Sequence, residues 1–184
     1  MFRAAREVLA ERGFHAGISE IAARARVGAG TIYRNYATKE ELILEVVREM
    51  VNKTSAELLS IASNVDDARE CVARTMTVGF QQVEEYGELA IHLVAGTAPE
   101  PYARVMNRQA LGDIFKLLIR RGIDQGHFRR DLNVDYAVAM WFAFVAPAAL
   151  RSLMAMYTIG EIVVLTTDFF LAGISRPPTE KGEV

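Results

Sequence analysis

Apolar residues recur at three- and four-residue intervals along nearly the whole chain, a spacing typical of amphipathic helices. No run of β-branched residues alternates strictly with polar residues over a useful length, as a half-buried strand would require. The pattern therefore predicts an all-α fold. We expect helices over residues 2–12, 18–25, 29–35, 39–63, 67–86, 87–96, 104–125, 133–157 with a kink at Pro147, and 158–174.

Capping signals fix several of these helix ends. Gly13 stands where the first helix should stop, because glycine commonly ends helices in a left-handed conformation. Thr38 and Glu41 form a capping box at the start of a long helix, and Thr158 and Glu161 form another before the last helix. The long helix is thus predicted to join the first three helices to the rest of the chain.

The stretch V-G-A-G-T-I-Y-R-N-Y-A-T-K-E-E, residues 27–41, allows two readings. A dinucleotide-binding loop needs a third glycine where Tyr33 stands, and it needs a preceding strand where the pattern predicts a helix. Two short helices joined by a tight turn instead predict a helix-turn-helix, whose second helix enters the major groove of DNA. The small residues Ala29 and Gly30 would let the tip of that helix approach a phosphate chain closely.

Residues of this motif divide into a small core and a polar face. The core candidates have helical spacing and are Ile21, Ala22, Ala25, Val27 and Ile32. Thr31, Tyr33 and Lys39 offer two hydroxyls and a charge to phosphate oxygens, and Arg34 and Asn35 reach phosphates or base edges. Tyr36 is expected to pack the short helix against the long one.

Charge is distributed unevenly along the chain. The formal net charge is −2, yet the first 39 residues hold seven Lys or Arg against three Glu, a net charge of +4. The rest of the chain therefore carries −6. A basic segment joined to an acidic remainder indicates an anionic partner at one end of the molecule.

Other features suggest a protein of the cytoplasm. Cys71 is the only cysteine and no Cys/His cluster has metal-ligand spacing, so we expect a buried thiol, a reducing compartment, and neither metal nor cofactor. The N-terminus has no apolar stretch of signal-peptide length. The most apolar region, residues 136–150, has about 15 residues where a membrane span needs roughly 20. We therefore expect a buried helix there and no membrane partner.

The run G-F-H-A-G-I-S-E-I-A-A-R-A-R-V-G-A-G-T-I-Y-R-N-Y-A-T-K-E-E-L, residues 13–42, resembles the DNA-binding domain of TetR-type transcriptional repressors. The DNA-binding domain that the resemblance implies covers about a quarter of the chain. The resemblance implies a helix-turn-helix domain at 1–44, a ligand-binding and dimerisation domain at 45–176, and a flexible tail at 177–184. It further implies a homodimer that binds a palindromic DNA operator and is released by a small effector. The DNA contacts that it implies are Ala29, Gly30, Thr31, Tyr33, Arg34, Asn35 and Lys39.

The sequence departs from the family's pattern around the motif. Gly17 replaces a usual threonine and Gly28 a usual serine, so two helix starts lack a capping hydroxyl. Arg26 stands where the turn usually has glycine, and a left-handed conformation there would cost about 1–2 kcal/mol. The chain also starts at the first helix without the basic arm of many members. We expect weakened DNA binding, or a start that omits the arm.

The helical body supplies candidates for an effector pocket and a dimer interface. Helices that enclose the pocket in the resembled family carry Phe80, Tyr86, His92, Phe115, Trp141 and Phe144. We expect a lipophilic or aromatic effector, with His92 as its polar contact. The last two predicted helices are apolar on more than one face, which favours burial on both sides. The expected interface residues are Phe142, Ala146, Ala149, Leu150, Leu153, Val163, Phe169 and Phe170.

These expectations describe a ligand-responsive repressor that is not an enzyme. One alternative is the same fold acting as an activator, or as a regulator without an effector. Another is an all-helical enzyme or small-molecule carrier. Against the enzyme, no Ser/His/Asp set, paired carboxylates or metal cluster stands out in the sequence.

Overall fold

A computed structural model describes residues 1–176 and contains ten α-helices in that range. The helices are α1 (Phe2–Arg12), α2 (Ile18–Ala25), α3 (Ala29–Asn35), α4 (Lys39–Asn64), α5 (Ala68–Ala95), α6 (Glu100–Met106), α7 (Arg108–Asp124), α8 (Val134–Phe144), α9 (Pro147–Met154) and α10 (Ile159–Ile174). A 3₁₀ turn, Gly13–His15, follows α1. The predicted all-α class is confirmed, and the predicted tail at 177–184 lies outside the described residues.

Helix α5 is the centre of the molecule. It packs against α1, α4, α6, α7, α8, α9 and α10, and its contact with α1 is the most extensive between any two elements. Its N-cap is Asp67, whose carboxylate accepts a hydrogen bond from the Glu70 amide at 2.9 Å. Its buried side chains join those of α1, α4, α7, α8 and α10 in one continuous core.

Gly87 breaks α5 where the sequence predicts a boundary between two helices. Its backbone has φ 48° and ψ −129°, a conformation that only glycine adopts readily. A Cβ at this position would lie 2.2 Å from the carbonyl oxygen of Ala10. The break therefore lets α1 approach the backbone of α5 closely.

Two predictions about the later helices need correction. The single helix expected over 104–125 is wrong, because Asn107 takes a left-handed conformation with φ 42° and separates α6 from α7. The Asn107 side chain then caps α7 by accepting a hydrogen bond from the Ala110 amide at 3.2 Å. The helix expected over 133–157 is two helices, α8 and α9, with Pro147 in the first turn of α9.

No strand occurs within residues 1–176, although Phe128 and Ser175 form an isolated antiparallel bridge. In the same range no single helix has both the length and the apolarity to cross a bilayer. Helices α8 and α9 satisfy those criteria only when taken together, and the pair is bent by 51° at the break between them.

Candidate functional site

Helices α2 and α3 form the predicted helix-turn-helix. Ile21, Ala22 and Ile32 are buried in a core that also contains residues of α1 and α4, as expected. Val27 differs from the prediction because it is 36% exposed and lies in the turn outside that core. The motif thus has a smaller interior than the sequence suggested.

Arg26 ends α2 in the left-handed conformation, with φ 56° and ψ 42°. Its amide donates to the Ala23 carbonyl at 3.1 Å, and the Val27 amide donates to the Ala22 carbonyl at 3.0 Å. These bonds satisfy the last carbonyls of the helix as a C-terminal glycine normally would. The positive φ confirms that Arg26 is in the left-handed region, where a residue with a side chain costs about 1–2 kcal/mol.

Both helix starts lack a capping hydroxyl. Gly17 precedes α2, and its amide donates to Glu20 Oε2 at 2.8 Å, which leaves half of a capping box. This hydrogen bond is the main reason that the pKa of Glu20 lies below its ordinary value. Gly28 precedes α3, and a Cβ added at Gly28 or Gly30 would meet nothing within 4 Å. The N-terminal tip of α3 is therefore open to an approaching molecule.

Six of the seven predicted DNA contacts lie on the exposed surface of α3. Exposed residues of this helix are Ala29, Gly30, Thr31, Tyr33, Arg34 and Asn35. Only Ile32 of α3 is buried. The Asn35 side chain donates to the Thr31 carbonyl at 2.9 Å, so it lies along the helix in this structure. The arrangement leaves one short helix with a continuous free face.

Lys39 and Tyr36 occupy the junction between α3 and α4. Lys39 is half-buried, and its Nζ donates to the carbonyl oxygen of Phe14 at 3.4 Å. Tyr36 packs against the core, which confirms its predicted structural role. Burial, together with a hydrogen bond to Glu45 of α4, raises the pKa of Tyr36.

Ion pairing divides the seven cations of residues 1–39 into two groups. Arg3, Arg6, Arg12 and Arg24 each pair with at least one glutamate. Arg24 holds both carboxylate oxygens of Glu11 at 2.9 Å. The other three, Arg26, Arg34 and Lys39, make no ion pair with any carboxylate among residues 1–176. Cations without an ion-pair partner in this range are therefore grouped in the turn before α3, on α3 and at the start of α4.

Contacts between α1 and α5 hold residues 1–44, called the head below, against residues 45–176, called the body. Arg6 Nη1 lies 3.1 Å from Glu85 Oε1 and 3.8 Å from Glu49 Oε1. The Phe14 ring stacks on Tyr102 with centroids 4.8 Å apart, and the His92 ring lies 6.3 Å away. Because Phe14 also accepts the Lys39 hydrogen bond, one residue touches both the body and the start of α4.

The six predicted effector residues do not line one cavity. Phe115 and Trp141 contact each other at 4.2 Å between centroids and line a small cavity in the body. His92 lies instead at the junction with the head, where its Nδ1 is 2.9 Å from Thr97 Oγ1. The family resemblance placed all six on helices that enclose a pocket, but it carries no information on which of their side chains face the same space.

The remaining three lie elsewhere in the body. Phe80 is fully buried and does not line that cavity. Tyr86 is also buried, and its hydroxyl donates to Glu49 Oε2 at 3.4 Å beside Arg6. Phe144 lines a separate surface groove of about 190 Å³ with Phe169 and Phe170. The sequence also missed Gln82, Thr54 and Thr75, polar residues that line the same cavity as Phe115 and Trp141.

The predicted dimer residues divide into buried and exposed groups. Phe142, Leu150 and Phe170 are buried within the chain itself and offer little surface to a second copy. Exposed or half-exposed members are Ala146, Ala149, Leu153, Val163 and Phe169, of which Phe169 is 71% exposed. Sequence reasoning missed Met156 and Val164, which are also exposed, as is Leu165. A helix that is apolar all round does not reveal which apolar side faces its own core.

Comparison with known proteins supports the interpretation of α2 and α3 as a DNA-binding helix-turn-helix. Residues 2–46 match the family model described as bacterial regulatory proteins of the tetR family. The HTH-type transcriptional repressor KstR2 of Mycobacterium tuberculosis is 27% identical over 135 residues, which cover 70% of this chain and 67% of the relative. The solved structure of that ketosteroid regulator aligns with a TM-score of 0.74 at 20% identity, covering 95% of this chain and 93% of the other.

Two further solved structures contain a bound small molecule. A regulator from Saccharomonospora viridis in complex with choline aligns with a TM-score of 0.76 at 20% identity, over 95% of each chain. FadR from Bacillus subtilis in complex with stearoyl-CoA aligns with a TM-score of 0.68 at 22% identity, over 94% of this chain and 97% of the other. At these identities the structural likeness establishes the fold.

Proposed function

Because this chain belongs to the TetR family of bacterial regulatory proteins, we propose that it represses transcription by binding an operator as a homodimer. The supporting observation is the free face of α3, beside which lie Arg26, Arg34 and Lys39 without carboxylate partners among residues 1–176. Unpaired cations on an exposed helix suit a polyanion, because they lose no internal ion pair on binding it. In this proposal residues 1–44 bind DNA and residues 45–176 bind the effector and the second subunit.

Individual contacts follow from the exposed positions on α3. Tyr33 is 51% exposed, and its hydroxyl is placed to donate to a phosphate oxygen. Lys39 exchanges its long hydrogen bond with the Phe14 carbonyl for a phosphate. Arg34 and Asn35 read base edges or phosphates, while Ala29, Gly30 and Thr31 admit the sugar-phosphate chain to the helix tip. With few long side chains at that tip, specificity also depends on DNA shape.

Exposed apolar surface on the last helices supports the dimer. Ala149, Phe169, Val164 and Leu165 lie exposed on α9 and α10, and Met156 lies between these helices. Large exposed apolar residues grouped in this way mark an interaction surface. A two-fold axis would pair this surface with its copy and place two heads at the spacing of two operator half-sites. Sedimentation at micromolar concentration is expected to give a dimer, and a monomer would contradict the assignment.

The effector is proposed to act through α4. This helix begins at Lys39, beside the DNA-binding face, and carries Met50, Thr54 and Leu58 into the cavity that Phe115 and Trp141 line. A lipophilic small molecule that enlarges this cavity would shift α4 and change the separation of the two heads. A preference of a few kcal/mol for the DNA-incompetent dimer suffices to release the operator.

DNA binding provides the test of the proposed function. A labelled duplex containing the region upstream of the protein's own gene is titrated with wild type, Tyr33→Phe and Lys39→Ala. Each variant should weaken binding by about threefold to tenfold, since each removes one phosphate contact. Arg104→Ala is the control, because Arg104 is an exposed cation of the body paired with Glu100. Absence of salt-dependent binding, or equal affinity for all four proteins, would contradict the proposal.

A further inference from the structure

Gln82 has an unsatisfied polar atom inside the body. Its side chain is 4% exposed, and its Oε1 accepts no hydrogen bond from the described residues, 1–176. The residue lines a cavity of about 20 Å³ enclosed by α4, α5, α7 and α8, with Met106 at the end of α6. Buried acceptors without a donor are rare because they lose their hydrogen bonds to water without replacement. An unpaired oxygen beside a cavity therefore indicates a missing donor.

The two threonines that line the cavity also present acceptors to it. Thr54 Oγ1 donates its proton to the Met50 carbonyl, and Thr75 Oγ1 donates to the Cys71 carbonyl, both at 2.7 Å. With these protons committed, each hydroxyl oxygen can only accept a further hydrogen bond. No charged side chain is among the cavity's lining residues in the described chain. The cavity thus offers acceptors in an apolar wall and has no cation for an acid group.

A surface groove continues from the cavity. This groove has a volume of about 190 Å³ and lies between α4 and the α6–α7 junction at Asn107. Thr54, Leu58, Met106 and Leu111 line both spaces. Methionine adapts its shape readily, so movement of Met106 would join the two into one channel. Its outer part is mainly apolar, and Gln82 is among the residues that line its inner part. Gln82 also lies beside an open polar groove that Lys53 and Glu85 line.

We propose that Gln82 determines effector specificity, and that the effector is an uncharged, elongated apolar molecule whose buried end carries a hydroxyl group. The hydroxyl donates to Gln82 Oε1, and the apolar chain occupies the groove between α4 and the α6–α7 junction. A carboxylate at the same end would be buried in a largely apolar cavity without a cation, which disfavours its charged form. This inference rests on the effector site of the proposed function and adds the chemical class of its ligand.

Trp141 provides a direct probe because it is the only tryptophan and lines the cavity beside Phe115. Its fluorescence is titrated with 1-decanol, decyl methyl ether and decanoate at pH 7. Wild type should bind 1-decanol about tenfold more tightly than the ether, which lacks the donor, and should bind decanoate still more weakly. Gln82→Met should bind the alcohol and the ether with affinities within about twofold. It should also melt at a higher temperature, because it removes the unpaired oxygen.

The neighbouring Gln81 is exposed and serves as the matched control, so Gln81→Met should retain the tenfold preference. Equal wild-type affinities for alcohol and ether, tighter binding of decanoate, or an unchanged preference in Gln82→Met would overturn the inference. Failure of all three probes to change Trp141 fluorescence would also overturn it, while operator binding by the same preparation would leave the proposed function intact. Loss of operator binding by wild type would instead count against the proposed function.

Discussion

The head has two contrasting faces. The face of α1 that meets the body is closely packed: Gly87 admits the Ala10 backbone, and Arg6 pairs with Glu49 and Glu85. The face formed by α3 has open space around Gly28 and Gly30, and its neighbouring cations lack carboxylate partners among residues 1–176. Both faces belong to residues 1–44.

This difference separates residues that stabilise the fold from residues available for binding. The ion-paired arginines join α1 to α2, α4 and α5 and so contribute to the contacts between these helices. Unpaired cations beside α3 contribute little to stability, so substitutions there should change DNA binding with small effects on unfolding. Substitutions at the junction should change both properties together.

The largest effect is expected from Gly87→Ala at the junction. The new Cβ would lie 2.2 Å from the Ala10 carbonyl oxygen, in a backbone conformation that disfavours any side chain. We expect a loss of about 3–5 kcal/mol in the free energy of unfolding, measured by urea denaturation. Operator affinity should fall as well, because the head loses its packing against α5.

Gly160→Ala is the control for that experiment, since a Cβ at Gly160 meets nothing within 4 Å. It should change stability by less than about 1 kcal/mol. If the Gly87→Ala protein were as stable as this control, the close approach of α1 and α5 would not contribute to stability.

A pH-dependent effect is expected at the same junction. Burial, reinforced by Glu49 and Glu85, raises the pKa of Tyr86 to about 12 from an ordinary value of 10.0. Between these values the phenol stays protonated in the folded protein and ionises in the unfolded chain. Stability should therefore fall by up to about 2 kcal/mol as pH rises from 10 to 12.

Tyr86→Phe should lose less stability than wild type over that interval, as measured by urea denaturation at each pH. Tyr157→Phe provides the comparison, because Tyr157 is exposed. Parallel curves for all three proteins would show that Tyr86 does not titrate differently in the folded state.

Arg26→Gly should raise the stability of the protein and weaken its binding to the operator. Glycine relieves the left-handed strain at φ 56°, so the free energy of unfolding should rise by about 1 kcal/mol. Loss of the unpaired charge should weaken operator binding severalfold. Arg26→Lys keeps both the charge and the strain and should resemble wild type. If Arg26→Gly stabilised the protein without weakening operator binding, Arg26 would not contribute to DNA binding.

Sequence reasoning located the helix-turn-helix well because its determinants are local. Helical spacing placed α2 and α3 at their observed bounds, and the position of Arg26 indicated a possible left-handed residue. The break at Asn107 was missed because the apolar spacing continues across it, although asparagine adopts the left-handed conformation more readily than most residues.

The body was less predictable because its site depends on contacts between distant helices. Periodicity indicated that Phe80 and Phe115 are buried, but only the packing of α4, α5, α7 and α8 shows that one lines the cavity and the other does not. Gln82 was missed because a single glutamine on an amphipathic helix normally lies in solvent, and its burial follows from the packing around α5.

The salt dependence of operator binding tests the central claim most directly, by comparing Arg34→Ala with Arg12→Ala. Both arginines are exposed cations of the head, but Arg12 pairs with Glu20 at 3.3 Å and Arg34 has no such partner among residues 1–176. In a plot of log affinity against log salt concentration, Arg34→Ala should reduce the slope by about 1. Arg12→Ala should leave it at the wild-type value. Equal slopes for the two variants, or a larger change in Arg12→Ala, would contradict the account.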